Sequence, residues 1–316
     1  MCTAISYKNK DVYFGRNLDL ERGYGECVTI APRKYVFRMR YMEPMVSHYA
    51  MIGMATVVDE FSLYYEATNE KGLSMAGLNF PGNAVYYDYD DKKDNVAPFE
   101  FIPWVLGQCT SVDEVKQLLG KMNLVKVHFS EQLPLSPLHW MISDKKCSIV
   151  VESLETGLKV YDNPLEVLTN NPPFEYHRIN ISNYMGLSVG PAHTQFKEEL
   201  QLKNYSLGMG ALGLPGDFSS ASRLVRAFFV KENSVSNEDE KSSVNQFFHI
   251  LNSVAMPKGC VWTKNGFEYT RYSSCCNVNQ GIYYYTTYNN LEIASINMHE
   301  VDLEQTCLYS YEVKGL

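Results

Sequence analysis

The chain has 316 residues, 45% of them hydrophobic and 20% charged, with a formal net charge of −8. At this length about 75% of the unfolded chain's surface can be buried, so the composition is that of a globular protein with a substantial core. The acidic balance, with no Lys/Arg-rich stretch interleaved with aromatics, excludes a nucleic-acid binder.

The first predicted element is a hairpin. Cys2–Tyr7 and Val12–Asn17 are short β-rich runs flanking the polar turn Lys8-Asn9-Lys10-Asp11. Pairing Tyr7 with Val12 sets Cys2 opposite Asn17 and beside Arg16, and a slip of one residue exchanges those partners. A second hairpin joins Leu63–Ala67 to Leu73–Leu78 through Asn69-Glu70-Lys71-Gly72. It stops at Asn79-Phe80-Pro81-Gly82, where proline and glycine end the strand. Pro98–Gln108, apolar on most sides, reads as a helix. Ser111-Val112-Asp113-Glu114 is a capping box that opens another, with Val112, Val115, Leu119 and Met122 on one face. Strands follow at His139–Ser143, Cys147–Glu152 and Leu158–Tyr161. A second helix pair covers Ser222–Lys231 and Ser243–Val254, joined by the charged surface loop Glu232–Lys241. The tail returns to strand at Gly281–Tyr288, Glu292–Asn297 and Cys307–Glu312. This order is α+β, and two antiparallel sheets with helix pairs outside them satisfy it. No Gly/Ser/Pro linker and no repeat divides the chain, so one domain over residues 1–316 is expected.

Lys8, Asn9, Lys10 and Asp11 interrupt the start before a secretory apolar run can form. The longest apolar stretch, around Tyr49–Val58, is too short to span a bilayer, so no membrane association is expected. The eight cysteines contain no Cys-x-x-Cys pair and read as free thiols, which points to the cytoplasm. The seven histidines form no metal-ligand pattern, and no cofactor is expected. Gly208-Met209-Gly210-Ala211-Leu212-Gly213 spells a dinucleotide fingerprint. It lacks a preceding buried strand, however, and Leu214-Pro215-Gly216-Asp217 breaks any following helix, so a loop is expected there.

The chemistry starts at Cys2. If Met1 is removed, this one residue carries both a thiol and a free α-amine. An α-amine has a reference pKa of about 7.7–8.0, so it can take the thiol proton directly or through one water, as a histidine usually does. Arg16 could stabilise the thiolate, and Asp19 could orient the amine. Their plain reading is an ion pair at a strand end. Amide hydrolysis by a thiol also needs donors for the tetrahedral oxyanion. Leu78-Asn79-Phe80-Pro81-Gly82 and Leu168-Thr169-Asn170-Asn171-Pro172 are candidate turns for this, although Asn before Pro also serves as an ordinary turn residue.

Six stretches, "MCTAI", "YFGRNLDL", "NEKGLSMAGLNFPGN", "LHWMISD", "VLTNNP" and "GLPGDFSSASR", occur in this order and spacing. Together they resemble the choloylglycine hydrolase family of N-terminal-nucleophile hydrolases, within it the bile salt hydrolases of gut bacteria. The resemblance runs from Cys2 to about Tyr311. It implies a four-layer αββα sandwich and a homotetramer, with loss of Met1 as the only maturation. The implied reaction is hydrolysis of the amide of glycine- or taurine-conjugated bile salts through an acyl-enzyme. Cys2 matches the nucleophile and base, and Arg16 and Asp19 match the residues that contact thiol and amine. Asn79 (main chain) and Asn170 (side-chain amide) match the oxyanion contributors. Arg223 matches the remaining active-site arginine, where the plain reading is a solvated helix start.

A steroid pocket should be mostly apolar. Leu18, Phe129, Leu133 and Leu138 match the family's pocket positions, and Tyr24, Phe61 and Tyr65 are expected on loops that could close over the steroid. Each could equally be core. Tyr283-Tyr284-Tyr285 reads as sheet. The resemblance also implies two alternatives. Penicillin V acylases share the Cys2, Arg16, Asp19 and Asn170 positions but usually carry tyrosine where this chain has Asn79. A non-catalytic bile-acid binder would have no use for the intact set.

Overall fold

The chain enters its fold through a hairpin, β1 (Cys2–Lys8) and β2 (Val12–Leu20), in a computed structural model that describes residues 1–194 and 196–316. The register is one residue away from the expected pairing: Lys8 lies opposite Val12, Tyr7 opposite Tyr13 and Cys2 opposite Leu18. The turn is therefore three residues, closed by the Asn9 N–H on the Asp11 carbonyl at 2.9 Å. Both strands are buried on both faces, so no polar alternation chooses between the two registers.

Four strands follow: β3 (Glu26–Ala31), β4 (Met51–Val58), β5 (Phe61–Asn69) and β6 (Ser74–Asn79). The turn before β6 is the expected one. Asn69 Oδ1 accepts from the Lys71 and Leu73 N–H groups, and Gly72 supplies a φ of 89°. Next come β7 (Asp94–Val96), α1 (Phe101–Gln108), α2 (Val112–Leu119) and β8 (Met122–Leu124). α2 stops at Leu119, ahead of Gly120. Met122 is buried as expected, but it opens β8, which pairs in parallel with β7. Only half of the capping box forms. Ser111 Oγ accepts from the Glu114 N–H at 3.3 Å, while the Glu114 carboxylate reaches back one residue further, to the Thr110 N–H at 2.6 Å.

The chain continues with β9 (Leu138–Ser143), β10 (Ser148–Leu154), β11 (Gly157–Asp162), β12 (Val167–Leu168) and α3 (Phe174–Asn180). After an irregular stretch come α4 (Ser220–Glu232) and α5 (Glu240–Asn252). The last strands are β13 (Val261–Thr263), β14 (Gly266–Asn277), β15 (Ile282–Thr287), β16 (Asn290–Asn297) and β17 (Tyr309–Glu312). The glycine-rich string at 208–213 holds one 3-10 turn, Met209–Ala211, within loop.

Two antiparallel sheets result. One runs β12-β1-β2-β14-β15-β16, with β13 beside β14; the other runs β11-β10-β9-β6-β5-β4-β3-β17. Helices α4 and α5 cover the first sheet and α1 packs on the second, giving the helix–sheet–sheet–helix order. The larger apolar cluster joins Ala4, Leu18 and Tyr272 of the first sheet to Ile52, Ala76 and Leu78 of the second, and extends to Leu224 and Phe247 of the helices. A second cluster lies between the other sheet and α1, around Met75, Phe101, Val105 and Trp140. The site is at the end of the sandwich where β1 starts and β6 stops.

All eight cysteines are free. Among the described residues no helix is long and apolar enough to cross a membrane, and no cluster of His, Cys, Asp and Glu could hold a metal ion.

Candidate active site

Cys2 opens β1 between two partners, and its residue is only 3% exposed. The observed register decides what surrounds it. Side chains of directly opposed residues share a face, and successive ones alternate. Cys2 therefore shares the inter-sheet face with Leu18 and with Arg16, which is paired to Ala4. Asn17 and Asp19 point the other way, toward the helices. Accordingly Asn17 Nδ2 donates to the Leu251 carbonyl of α5 at 2.9 Å, and Asp19 Oδ2 lies 4.0 Å from Arg223 Nη1 of α4. One strand thus delivers a cation to the thiol side and a carboxylate to the main-chain side. A bulge in β14 between Thr270 and Tyr272 falls beside Asp19, and Thr270 Oγ1 donates to Asp19 Oδ1 at 2.6 Å. Asp19 Oδ2 has no hydrogen-bond partner.

Arg16 is fully buried. Its Nη1 donates to the Gly77 carbonyl at 2.5 Å and the Tyr65 carbonyl at 3.1 Å, and its Nε lies 3.8 Å from Glu66 Oε2. Glu66 in turn accepts from Tyr272 OH at 2.8 Å and Tyr283 OH at 2.6 Å. Burial pulls the Arg16 guanidinium down, but the combined field of Cys2, Tyr272, Glu66 and Asp19 outweighs it, so the group is held above its ordinary pKa. Burial pushes Glu66 up against the pull of Arg16 and the two tyrosines. Arg16 Nη2 is left without a partner on the thiol side of the sheet.

Asn170 is the hub on the other side. Its Oδ1 accepts from the Cys2 backbone nitrogen at 2.7 Å and from Arg223 Nη2 at 2.8 Å, while its Nδ2 donates to the Asn79 carbonyl at 2.7 Å. One Nδ2 hydrogen remains for another acceptor. Arg223 Nη1 also donates to the Cys2 carbonyl at 2.5 Å and to Thr3 Oγ1 at 2.6 Å. The sequence placed Arg223 in the first turn of a helix, and α4 holds it there. It is fully buried, however, and its pKa is lowered by burial against the pull of Asp19 and Cys2.

The loop carrying Asn170 is braced from below. The Asn170 N–H donates to Ser220 Oγ at 2.8 Å, and Thr169 Oγ1 donates to the Ser220 carbonyl at 3.0 Å. His139 Nε2 faces the Thr169 carbonyl at 2.9 Å and His177 Nε2 faces the Asn170 carbonyl at 3.0 Å. Carbonyls only accept, so both nitrogens carry protons. His139 Nδ1 meets Glu152 Oε1 at 3.0 Å, and Phe80, next to Asn79, stacks on its ring at 4.2 Å. Burial lowers the His177 pKa, and its Nδ1 has no partner.

All six predicted catalytic residues therefore meet at one end of the sandwich. The predicted pocket residues divide. Leu18 is opposite Cys2 and Leu138 is opposite Asn79. Tyr65 and Phe61 are in β5, not on loops: Tyr65 falls within the expected run Leu63–Ala67, and β5 starts two residues before that run, at Phe61. The Tyr65 side chain is tied by its OH to Thr56 Oγ1 at 2.9 Å. Phe61 packs on Phe129 (centroids 6.0 Å apart) in the second apolar cluster. Leu133 lies in the loop before β9, where its N–H meets Ser130 Oγ, and Tyr24 is exposed on the turn after β2 beneath Arg22. Sequence reasoning missed Thr3, Glu66, Thr270, Tyr272 and the braces His139, Glu152, His177 and Ser220. Thr3, His139 and Ser220 fall inside three of the motifs, but nothing local marks the role of any of the eight, because the partners that define each role are remote in sequence.

The geometry offers a thiol beside a buried cation, a main-chain nitrogen held by a side-chain amide, and a spare amide N–H near a second strand end. Such a set suits attack on a carbonyl and stabilisation of the resulting oxyanion. Comparison with known proteins agrees with it. Residues 2–311 match the linear amide C-N hydrolases, choloylglycine hydrolase family. The chain is 54% identical over 316 residues to a bile salt hydrolase/transferase of Lactiplantibacillus plantarum, covering 100% of this chain and 98% of that one. It is 37% identical to a bile salt hydrolase/transferase of Clostridium perfringens, covering 99% and 97%. A crystal structure of a mutant conjugated bile acid hydrolase from Clostridium perfringens superposes with a TM-score of 0.91 at 37% identity, covering 99% and 97%. A penicillin V acylase of Agrobacterium tumefaciens shares the fold, with a TM-score of 0.76 at 21% identity, covering 98% of this chain and 91% of that one.

Proposed function

The chain belongs to the choloylglycine hydrolase family of linear amide C-N hydrolases, and on that footing we propose that it hydrolyses glycine- or taurine-conjugated bile salts with Cys2 as its nucleophile. The observation that carries this reading is the grip on Cys2: Asn170 on its nitrogen, Arg223 on its carbonyl and Arg16 on its thiol face.

With Met1 removed, the Cys2 nitrogen becomes an α-amine beside Asn170 Oδ1. The Cys2 residue is only 3% exposed, and burial disfavours a charged amine, which suits this nitrogen to act as a base. The amine takes the thiol proton and the thiolate, opposite Arg16, attacks the amide carbonyl. The oxyanion is met by the spare Asn170 Nδ2–H and by the Asn79 main chain. Collapse expels the amino acid, protonated by the Cys2 ammonium, and leaves a thioester. Water activated by the same amine then releases the bile acid. Asp19 orients the amine, and Arg223 fixes both Asn170 and the Cys2 carbonyl.

Leu18 and Leu138 border the reacting groups, and Tyr24, Phe61, Tyr65, Phe129 and Leu133 extend the apolar wall for the steroid. Penicillin V hydrolysis is the competing activity, and Asn79 in place of tyrosine weighs against it. Relatives bearing the double name hydrolase/transferase support a second fate for the thioester, attack by an amine instead of water. The protein works as one domain over residues 1–316, in the cytoplasm and as a homotetramer. The exposure of Met185, Phe196, Tyr205 and Leu207 between α3 and α4 supports such an assembly.

Release of glycine or taurine from conjugated bile salts, with penicillin V assayed alongside, tests the substrate. Intact mass of the purified protein tests the loss of Met1. Uniform retention of methionine in an active preparation would overturn the mechanism.

A further inference from the structure

Glu66 reaches Arg16 because β5 breaks its alternation. Met54 of β4 pairs with Glu66, while the next residue, Ala55, pairs with Tyr64, so Tyr65 is the extra residue of a β-bulge. Strict alternation would put Glu66 on the face of Tyr64, which packs in the apolar cluster under α1. The bulge instead brings two consecutive residues of β5 to Arg16. The Tyr65 carbonyl accepts from Nη1 at 3.1 Å, and the Glu66 carboxylate lies 3.8 Å from Nε.

Glu66 is fixed in turn from the first sheet. Tyr272 of β14 donates to its Oε2 and Tyr283 of β15 to its Oε1, so both oxygens are engaged in a residue only 2% exposed. Two O–H donors and a guanidinium are the complement of an ionised carboxylate. Arg16 is thereby held by one edge. Nη1 gives its hydrogens to the Gly77 and Tyr65 carbonyls and Nε faces Glu66, which leaves Nη2 unpartnered on the thiol side.

This face of the sheet therefore holds one cation and one fixed anion before the thiol ionises. The other titratable groups around the pair are Tyr65 of β5, Tyr272 and Cys276 of β14 and Tyr283 of β15. Asp19 and Arg223 lie on the opposite face of β2, with the Cys2 nitrogen. An unopposed buried guanidinium would hold a thiolate tightly. A thiolate so stabilised is a weaker nucleophile, and attack is fastest when the thiol titrates near the working pH.

We propose that Glu66 is the positioning residue of Arg16: it fixes which edge of the guanidinium is presented to the Cys2 thiol, and its negative charge limits how far Arg16 favours the thiolate. The inference rests on Cys2 as the proposed nucleophile.

Alkylation of the mature protein by iodoacetamide across a range of pH, read by mass spectrometry of the N-terminal peptide, titrates Cys2 apart from the other cysteines. Glu66→Gln keeps the shape and removes the charge, so the midpoint should fall by about one pH unit. The rate constant of the fully ionised thiol should fall with it. Glu66→Asp withdraws the carboxylate by one methylene and should lower the midpoint by a smaller amount. A residue that only ties the two sheets together would lower the unfolding temperature and leave the midpoint in place. An unchanged or raised midpoint in a folded Glu66→Gln protein would therefore overturn the inference. Should that variant fail to fold, the same result in Glu66→Asp would overturn it. Hydrolysis of a conjugated bile salt is measured on the same preparations. Full-rate hydrolysis by wild-type protein after complete alkylation of Cys2 would sink the proposed function and leave the coupling of Glu66 to the thiol standing.

Discussion

Replacing Asn170 in two ways separates its job as an anchor from its job as a donor. Asn170→Ala takes an acceptor from the Cys2 nitrogen and from Arg223, and a donor from the Asn79 carbonyl. Each buried group left unpaired costs about 1–3 kcal/mol, so the three together threaten about 3–9 kcal/mol of a total stability of about 5–15 kcal/mol. That variant should unfold at markedly lower temperature, and its inactivity would say little about chemistry. Asn170→Asp has nearly the same shape and keeps both acceptor contacts, one of them now charge-paired with Arg223. What it loses is the amide N–H for the oxyanion and the bond to Asn79. Loss of one oxyanion donor costs about 10²–10³-fold in kcat, so kcat should fall by that factor while KM for a conjugated bile salt changes little. The new carboxylate also favours the protonated Cys2 amine, so the acid limb of the pH profile moves upward. The assay is therefore amino-acid release over a range of pH, compared at the plateaus, with thermal unfolding alongside. An Asn170→Asp variant that folds like wild type and turns over within about threefold of it would refute the oxyanion assignment, given the loss expected for a missing donor.

Cys2→Ser should fold normally and lose nearly all turnover, because a hydroxyl titrates far above a thiol and the α-amine is a modest base; substantial remaining activity would move the nucleophile elsewhere. A non-removable N-terminal extension turns the amine into an amide and should cut turnover by about 10²–10⁴-fold, with bile-salt binding measured separately to exclude simple blockage. Asn79→Tyr should shift the ratio of bile-salt to penicillin V turnover toward penicillin V, and an unchanged ratio removes Asn79 as a selectivity determinant. Hydrogen bonds from Ser219 and Ser222 hold the Asp217 carboxyl down at about 2. Because that folded value lies below the ordinary one of about 3.9, the stability Asp217 contributes is complete above the ordinary value and drains away as pH falls toward the folded one. Asp217→Asn should accordingly lower the unfolding temperature at neutral pH, with the difference closing in acid; a constant difference at all pH values would contradict this.

Short-range chemistry was legible in the sequence. The Asn-Glu-Lys-Gly turn before β6 and the serine cap of α2 are local events that form where their residues predict, and the polar turn after Tyr7 forms one residue shorter than expected. The six motifs named the family and, through it, the candidate residues that meet at one end of the sandwich. Other features depend on partners remote in sequence. β14 went unread because its residues are buried on both faces, so Gly266–Asn277 shows no alternation, yet it is the strand that sets a bulge against Asp19. Glu66 reads as one more charge in a hairpin until Tyr272 and Tyr283 arrive from more than 200 positions away to bond its two oxygens. Asn170 reaches Asn79 across 91 positions and Arg223 across 53. The hairpin register shows the division most plainly. Lys8 could belong to the turn or to the strand, and the local sequence accepts both. With Lys8 in the turn, Asp19 would have shared the face of the thiol. The observed slip of one residue puts Arg16 there and turns Asp19 to the main-chain side, because a strand's side chains alternate with a period of two and a shift of one exchanges every face.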